Sequence, residues 1–401
     1  MSKSHYMNAN EVASELGISV ATVYAYVSRG LIRSEAASGK TRNRRYHRDD
    51  VERLKQRQEQ RHNPEKLAES ALDFGTPLLE SSLTLIADNH LYYRGQDACE
   101  LAQTHTIEHI AALMWAGELE TDVPILWNDA TQIQSVNVDL PAATPLFERF
   151  QLTLPFAALD DVTAYDLRPA SVMQTGARIL HFLTGIAVNQ SVTDSISETL
   201  QQVWCPDNGE AALLLNMALI LCADHELNVS SFTARCVASA GSTPYAVVIA
   251  GLAALQGTKH GGSTQRVMAM IREIRTDVRV GLANRIKRGE SIPGFSHRLY
   301  PQGDPRGRLL LETLTTAYSD SETIALAQAI ADEVYHLLGE YPNIDFALVI
   351  LALALDLPEG APIALFALGR TVGWIGHALE QYETNQLIRP RARYVGIQPS
   401  I

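Results

Sequence analysis

Three short segments of this 401-residue chain place a histidine or an aspartate beside glycine or proline. They are Gly257-Thr-Lys-His-Gly-Gly262, Pro293-Gly-Phe-Ser-His297 and Tyr341-Pro-Asn-Ile-Asp345. Imidazole and carboxylate groups in exposed turns are candidates for general acid–base chemistry. Taken singly, each segment also fits a structural role. A histidine before two glycines is typical of a turn, and an aspartate ahead of an apolar run is typical of a helix cap.

Helical periodicity dominates the chain that must position these residues. From Leu72 onward, apolar residues recur at three- and four-residue spacing. Glu210–Cys222 and Tyr245–Leu255 are apolar on every side, so we expect them in a core or an interface. The apolar runs Ala211–Cys222 and Phe346–Leu355 are shorter than the roughly 20 residues that a membrane-spanning helix needs.

One strand pair interrupts this helical pattern, around Leu83–Tyr93 and flanking Asp88-Asn89. We therefore predict a mainly α fold. The length of the chain favours two or three domains.

Charge is unevenly distributed along the chain. Residues 1–62 carry twelve Lys/Arg against seven Asp/Glu, about +5, whereas the remainder carries 21 against 38, about −17. A small basic head followed by a large acidic body indicates two different tasks.

The four cysteines form no CxxC pair and no short cluster with histidine. This spacing disfavours a zinc site or a disulfide framework and is typical of a reducing cytoplasm. The N-terminal residues contain no apolar signal-peptide region. We predict a cytoplasmic protein with no bound metal and no membrane association.

The first 62 residues have the pattern of a helix–turn–helix. A capped helix at Glu11–Leu16 ends at Gly17, and a second at Ser19–Arg29 precedes a hairpin-like stretch. A charged helix follows at Asp49–Arg61, and Asn63-Pro64 marks the boundary.

This head resembles the winged-helix domain of the mercury-regulator (MerR-like) family, through ELGISVATVYAYVSRGLIR and RRYHRDDVERL. The resemblance implies duplex DNA as a partner, with a helix in the major groove and a basic wing on phosphates. The residues expected to contact DNA are Ser19, Thr22, Tyr24, Arg42, Arg44 and Arg45. The alternative is a charged helical adaptor that binds protein or nothing.

The body contains a series of motifs in a fixed order, namely Tyr93-Arg-Gly95, Leu113-Met-Trp-Ala-Gly-Glu-Leu119, Ala223-Asp-His-Glu-Leu-Asn228, His260-Gly-Gly262, Gly294-Phe-Ser-His-Arg-Leu-Tyr300, Asp304-Pro-Arg306, Leu365–His377 and Ile388-Arg-Pro-Arg-Ala-Arg-Tyr394. Through these motifs the body resembles the citrate synthase family over about 320 residues. The resemblance implies a large helical domain at 72–262 and 350–401 with a small helical domain at 263–349.

The same resemblance implies that the protein condenses acetyl-CoA, or another short acyl-CoA, with oxaloacetate to give citrate or 2-methylcitrate and CoA. Asp345 matches the base that removes the weakly acidic α-proton. His260 matches the donor to the enolate oxygen, a task for which a neutral imidazole is better suited than an imidazolium. His297 matches the group that polarises and protonates the ketone.

Oxaloacetate is a dianion, so the acidic body needs local, forked cations to bind it. Arg306, Arg370 and Arg389 match the carboxylate-binding arginines of the family, and His225 matches a further substrate histidine. The position of Arg389 reaches into the partner subunit's site in this family, which implies a homodimer with shared active sites. Without the resemblance, Arg389 would be read as part of a solvated basic tail.

For CoA, which is a substrate and not a permanent cofactor, the resemblance points to Gly294, Phe295 and Arg298. Four departures from the family pattern put acyl preference and CoA affinity in question, namely Cys222, Thr264, Pro301 and Leu348. Pro301 stands where members commonly carry a cation for the CoA phosphates, and Arg298 or the run Arg285–Arg288 is the candidate replacement.

A rival hypothesis from another class is a DNA-binding regulator whose body senses acyl-CoA or a 2-oxo acid. A sensor needs the binding arginines but has no use for a base. Because Asp345, His260 and His297 are all present, the sequence favours the enzyme.

Overall fold

The computed structural model describes residues 6–28, 31–36, 44–48, 50–51, 79–119, 140–192 and 195–399. The chain divides into two compact units, Met1–Glu80 and Ser81–Ile401. The predicted boundary at Asn63-Pro64 lies outside the described residues, as does nearly all of the predicted helix Asp49–Arg61.

The described part of the first unit includes two helices and a small sheet. Strand β1 (Tyr6–Met7) is followed by helices α1 (Ala9–Leu16) and α2 (Val20–Ser28), and then by strands β2 (Ser34–Ala36) and β3 (Arg44–His47). Strand β3 lies between β1 and β2 and is antiparallel to both. The helix–turn–helix and the hairpin that the sequence predicts are confirmed.

Local capping chemistry explains where the two helices begin and end. Asn8 and Glu11 form a capping box at the start of α1, and Gly17 ends it with a φ of 63°. Ser19 Oγ accepts a hydrogen bond of 3.2 Å from the backbone N–H of Thr22 at the start of α2. The apolar faces of both helices pack with Tyr46 of β3 in a core of their own.

The second unit is helical, with a three-stranded antiparallel sheet at its start. Its strands are β4 (Thr84–Ala87), β5 (His90–Tyr93) and β6 (Gln96–Asp97). Asp88 and Asn89 join β4 to β5 with φ angles of 51° and 64°, the left-handed conformation that a tight two-residue hairpin turn requires. The predicted strand pair is therefore confirmed.

Fourteen α-helices lie in the described residues of the second unit, which confirms the mainly α fold. They are α3 (Ala98–Thr104), α4 (Ile107–Ala116), α5 (Leu146–Asp160), α6 (Pro169–Val188), α7 (Ile196–Trp204), α8 (Ala211–Leu221), α9 (Val229–Ser239), α10 (Pro244–Leu255), α11 (Ser263–Ile274), α12 (Val278–Lys287), α13 (Pro305–Ala317), α14 (Glu322–Leu338), α15 (Ile344–Ala354) and α16 (Ala361–Thr384).

Helix α16 is the centre of this unit and packs against α4, α6, α8, α9 and α10. Two glycines within α16 let the end of α8 and the turn after it approach this helix closely. A Cβ at Gly369 would lie 2.3 Å from the carbonyl oxygen of Leu219, and one at Gly373 would lie 2.4 Å from that of Ala223. The turn that follows α8 is thereby held against α16.

A second group of helices packs around α15, which contacts α11, α13 and α14. The predicted division of the body into a large and a small domain stays a prediction. None of the helices in the described part of the chain combines the length and the apolar composition that a membrane span requires.

Candidate active site

His260 lies in the turn between α10 and α11. Its backbone N–H donates to Gly257 O at 2.8 Å, and a Cβ at Gly262 would lie 2.4 Å from Gln256 O, so the turn can close only with glycine there. His260 Nε2 lies 2.8 Å from Ser230 Oγ, near the start of α9. Trp374 Nε1 of α16 donates to the same hydroxyl at 3.2 Å, so two helices orient this imidazole.

Burial keeps His260 neutral. Desolvation, assisted by the positive charge of Arg370, lowers the pKa of His260 to about 3. The ring is therefore an uncharged imidazole across the physiological pH range.

Backbone hydrogen bonds join the segments that carry His297 and Asp345. Ser296 N donates to Tyr341 O, and Asn343 N donates to Gly294 O, each at 2.9 Å. The two segments, separate in sequence, are thus held side by side.

The tautomer of His297 follows from its backbone contact. Leu299 N donates to His297 Nδ1 at 3.2 Å. In the neutral ring the proton is therefore on Nε2, where it can be donated to a ligand. Desolvation and then the nearby Arg306 lower the pKa of His297 to about 4.

Asp345 does not cap α15, so the helix-cap interpretation is wrong. Asn343 is the cap, and its side-chain oxygen accepts from the backbone N–H groups of Asp345 at 3.0 Å and Phe346 at 3.4 Å. The Asp345 carboxyl therefore takes no part in capping this helix. Its Oδ1 is enclosed and has no hydrogen-bond partner among the described residues. Burial raises the pKa of Asp345 to about 7, against the opposing influence of Arg306.

Two buried arginines lie beside this carboxyl. Arg306 forms a forked ion pair with Asp304, through Nε at 2.9 Å and Nη2 at 2.8 Å. Arg370 donates from Nε to Cys222 O at 2.8 Å, while its Nη1 is buried with no partner among the described residues. A buried guanidinium nitrogen without a partner is costly unless an anion binds there.

His225 completes the cluster from the turn that Gly373 accommodates. Its ring centroid lies 5.0 Å from that of His297 and 5.5 Å from that of Tyr300. Desolvation, followed by the charge of Arg306, lowers the pKa of His225 well below its usual range. The site is thus a set of neutral imidazoles, one carboxyl of raised pKa and two guanidinium groups.

Arg389 is outside this cluster. Ile388 N donates to Ser239 Oγ at 3.1 Å, at the far end of α9 from Ser230. Ser239 is nine helical steps from Ser230, about 13 Å at the usual helical rise. This separation exceeds the length of an arginine side chain.

The predicted CoA residues lie next to the cluster. Gly294 has a φ of 84°, and a Cβ there would lie 2.8 Å from Val267 and 3.0 Å from Phe346. The Phe295 side chain is buried against Phe346, with ring centroids 4.9 Å apart, and Arg298 is exposed. Contacts from Gly294 and Phe295 to a ligand would therefore use their backbone.

The two arginines in the run Arg285–Arg288, which are alternative cations for CoA, are already paired. Arg288 binds Glu290 at 2.6 Å and Glu273 at 2.9 Å, and Arg285 also binds Glu273. Three of the four departures from the family pattern, Cys222, Thr264 and Leu348, are buried, and the fourth, Pro301, is exposed. Burial raises the pKa of the Cys222 thiol to about 12, so this group is neutral.

Several residues that support the site carried no role in the sequence interpretation. Ser230 orients His260, Tyr300 contacts His225, and Asn343 caps α15. Asn343 could have been found from capping preference, because it stands ahead of the apolar run. The other two contacts join residues far apart in sequence and leave no local signal.

Comparison with known proteins shows the family to which the chain belongs. The family profile described as "Citrate synthase, C-terminal domain" matches residues 72–391. The chain belongs to the citrate synthase family. A curated citrate synthase from Haloferax volcanii is 31% identical over 359 residues, which cover 80% of this chain and 94% of the relative.

Other members of the family are similarly close. A 2-methylcitrate synthase from Shewanella oneidensis is 27% identical over 78% of this chain and 91% of its own length. The solved citrate synthase of Thermoplasma acidophilum, a ternary complex with carboxymethyl coenzyme A and oxaloacetate, superimposes with a TM-score of 0.70.

That solved chain is 25% identical to this one, and the match covers 83% of this chain and 97% of the solved chain.

The head has a match of its own. A profile described as "Helix-turn-helix domain" covers residues 6–59, in agreement with helices α1 and α2. The chain is therefore a member of the citrate synthase family that carries a helix–turn–helix domain ahead of its synthase body.

Proposed function

We propose that this protein condenses a short acyl-CoA with oxaloacetate to give citrate, or 2-methylcitrate, and CoA. The observation that best supports this function is the enclosed Asp345 carboxyl, whose pKa is raised to about 7 beside two buried arginines and three neutral histidines. A carboxylate of this basicity suits the removal of a weakly acidic proton at neutral pH.

The reaction assigns a task to each group. Asp345 takes a proton from the α-carbon of the acyl group, and His260 donates a hydrogen bond to the resulting enolate oxygen. The enolate carbon forms a bond to the ketone carbon of oxaloacetate, whose oxygen takes a proton from His297. Water then cleaves the thioester and CoA leaves.

Substrate binding uses the remaining members of the cluster. Arg306 and Arg370 pair with the carboxylates of oxaloacetate, and the unpartnered Nη1 of Arg370 offers a donor for one of them. His225 supplies a further hydrogen bond. Gly294, Phe295 and Arg298 bind CoA, which is consumed and released and is not a resident cofactor.

A homodimer with shared active sites is part of this proposal. The contact of Ile388 with Ser239, at the end of α9 remote from Ser230, favours a role for Arg389 in the site of a second copy of the chain. The segment that follows it also favours a partner, because Val395 and Ile397 are 85% and 92% exposed. Exposed apolar side chains of this kind are typical of an interface. A cytoplasmic location is supported by the four cysteines, none of which forms a disulfide.

CoA release tests the function directly. Purified protein is expected to release CoA thiol from acetyl-CoA or propionyl-CoA when oxaloacetate is present, and not when it is omitted. The measurement crosses the two acyl-CoAs with oxaloacetate and several other 2-oxo acids and compares kcat/KM. Absence of thiol release with every pair would contradict the proposed reaction.

The helix–turn–helix match favours a second function, the binding of duplex DNA by the head. Tyr24 of α2 is 55% exposed, whereas the Ser19 and Thr22 hydroxyls lie 2.9 Å apart and engage each other at the helix start. This supports Tyr24 over the two hydroxyls as a contact. DNA binding would favour the alternative function, in which the head regulates genes and the body senses acyl-CoA or a 2-oxo acid.

The two wing arginines in the described residues differ in their surroundings. Adjacent residues of a strand point to opposite faces, so Arg44 and Arg45 cannot face one surface together. The Arg44 side chain is exposed and donates from Nη1 to Ser34 Oγ at 3.2 Å, whereas Arg45 stacks 4.7 Å from the ring of Tyr6. Arg42, the third predicted contact, lies outside the described residues.

We expect full-length protein to bind duplex DNA with a steep salt dependence, and Arg44→Ala to weaken binding more than Arg45→Ala. Loss of one phosphate contact should lower the slope of log K against log salt by about one. Fluorescence anisotropy at two salt concentrations measures this, with Arg45→Ala as the matched control. If the wild type does not bind duplex DNA even at low salt, the DNA-binding function is wrong and the head is an adaptor.

A further inference from the structure

We propose that Tyr300 is a positioning residue that holds His225 in the tautomer with its proton on Nδ1, so that His225 donates a hydrogen bond to oxaloacetate. The inference rests on the proposed condensation and names a residue that acts on its substrate through another side chain.

The contact is direct and shielded from water. Tyr300 OH lies 3.0 Å from His225 Nε2, and the two residues are 2% and 7% exposed. This is the hydroxyl's one hydrogen-bond partner among the described residues. A buried O–H group without an acceptor is costly, so Tyr300 is the donor in this hydrogen bond.

The direction of the bond decides the tautomer. If Tyr300 donates, Nε2 of His225 must accept, and the proton of the neutral ring is then on Nδ1. The reverse arrangement would leave the Tyr300 proton without an acceptor. Burial also raises the pKa of Tyr300 and lowers that of His225, so the phenol keeps its proton and the imidazole stays neutral.

The same turn orients both substrate histidines. Tyr300 N donates to His297 O at 3.1 Å, and Leu299 N donates to His297 Nδ1 at 3.2 Å. One turn therefore leaves His297 with a donor at Nε2 and His225 with a donor at Nδ1. Nδ1 of His225 has no hydrogen-bond partner among the described residues, and a dianion carries the acceptors that it needs.

Tyr300→Phe tests the proposal because it keeps the ring and removes the hydroxyl. We expect KM for oxaloacetate to rise about tenfold, with kcat and KM for acyl-CoA within about twofold of wild type. Tyr245→Phe is the matched control. It also removes one buried tyrosine hydrogen bond, to Asp161 at 3.0 Å, but lies outside the cluster. The KM of Tyr245→Phe for oxaloacetate should equal that of the wild type.

His225→Asn separates positioning from a structural effect, because the asparagine amide nitrogen can occupy the place of Nδ1 and does not tautomerise. In that background, Tyr300→Phe should raise KM for oxaloacetate by less than about twofold. An equal tenfold rise in both backgrounds would overturn the proposal, as would an unchanged KM in the single variant.

The outcome is distinguishable from a failure of the proposed function. If the wild type does not release CoA with oxaloacetate, the condensation itself is wrong and the inference falls with it. If the wild type is active and Tyr300→Phe has wild-type KM values, the condensation stands and the role of Tyr300 is wrong.

Discussion

Asp345→Asn is expected to abolish CoA release while raising thermal stability at pH 8. The substitution keeps the size of the side chain but removes the base, and positioned acid–base groups contribute at least about a hundredfold to rate. CoA-thiol release at saturating substrates measures the loss. Asp356→Asn, an exposed aspartate just beyond α15, is the control and should retain wild-type turnover.

The stability effect follows from the raised pKa of Asp345. An unfolded aspartate titrates near pH 4, whereas this one titrates near pH 7 in the fold. Between those values the native state binds a proton that the unfolded state has lost, so this residue reduces stability as the pH rises towards 7. Asparagine does not ionise. The Tm advantage of the variant should therefore be largest at pH 8 and smallest near pH 4.

Two results would contradict this assignment. Wild-type turnover in Asp345→Asn would show that another group is the base. A Tm difference that does not change with pH would mean that the carboxyl titrates normally in the fold.

Arg389→Ala and Asp345→Asn protomers, each inactive alone, are expected to regain activity when combined in one dimer. If Arg389 serves the partner, a heterodimer contains one site with both residues intact and one with neither. Purified heterodimers should then show about half of the wild-type activity. Two affinity tags, used in sequence after co-expression, isolate this species for the CoA-release assay.

The control pairs Arg370→Ala with Asp345→Asn. Arg370 and Asp345 lie in one cluster of the same chain, so this heterodimer has no intact site and should stay inactive. If the Arg389 heterodimer also stays inactive after its composition is verified, the shared-site arrangement is wrong.

Residue types and their order were enough to predict much of this protein. The capped helices of the head, the Asp88-Asn89 hairpin and the apolar helices α8, α10 and α15 follow from local preferences. These depend on hydrogen bonds and side-chain periodicity within a few residues. The ordered motifs of the body also indicated the citrate synthase family, which the family profile confirms.

The burial, charge pairing and tautomer of each reactive group follow only from the tertiary structure. Asn343 takes the cap of α15 and leaves Asp345 enclosed, and Glu273 and Glu290 neutralise Arg285 and Arg288. Hydrogen bonds between distant residues, such as Ser230 with His260 and Tyr300 with His225, orient the imidazoles. The physical reason is that pKa and tautomer depend on burial and on neighbours brought together by packing, and local sequence does not record either.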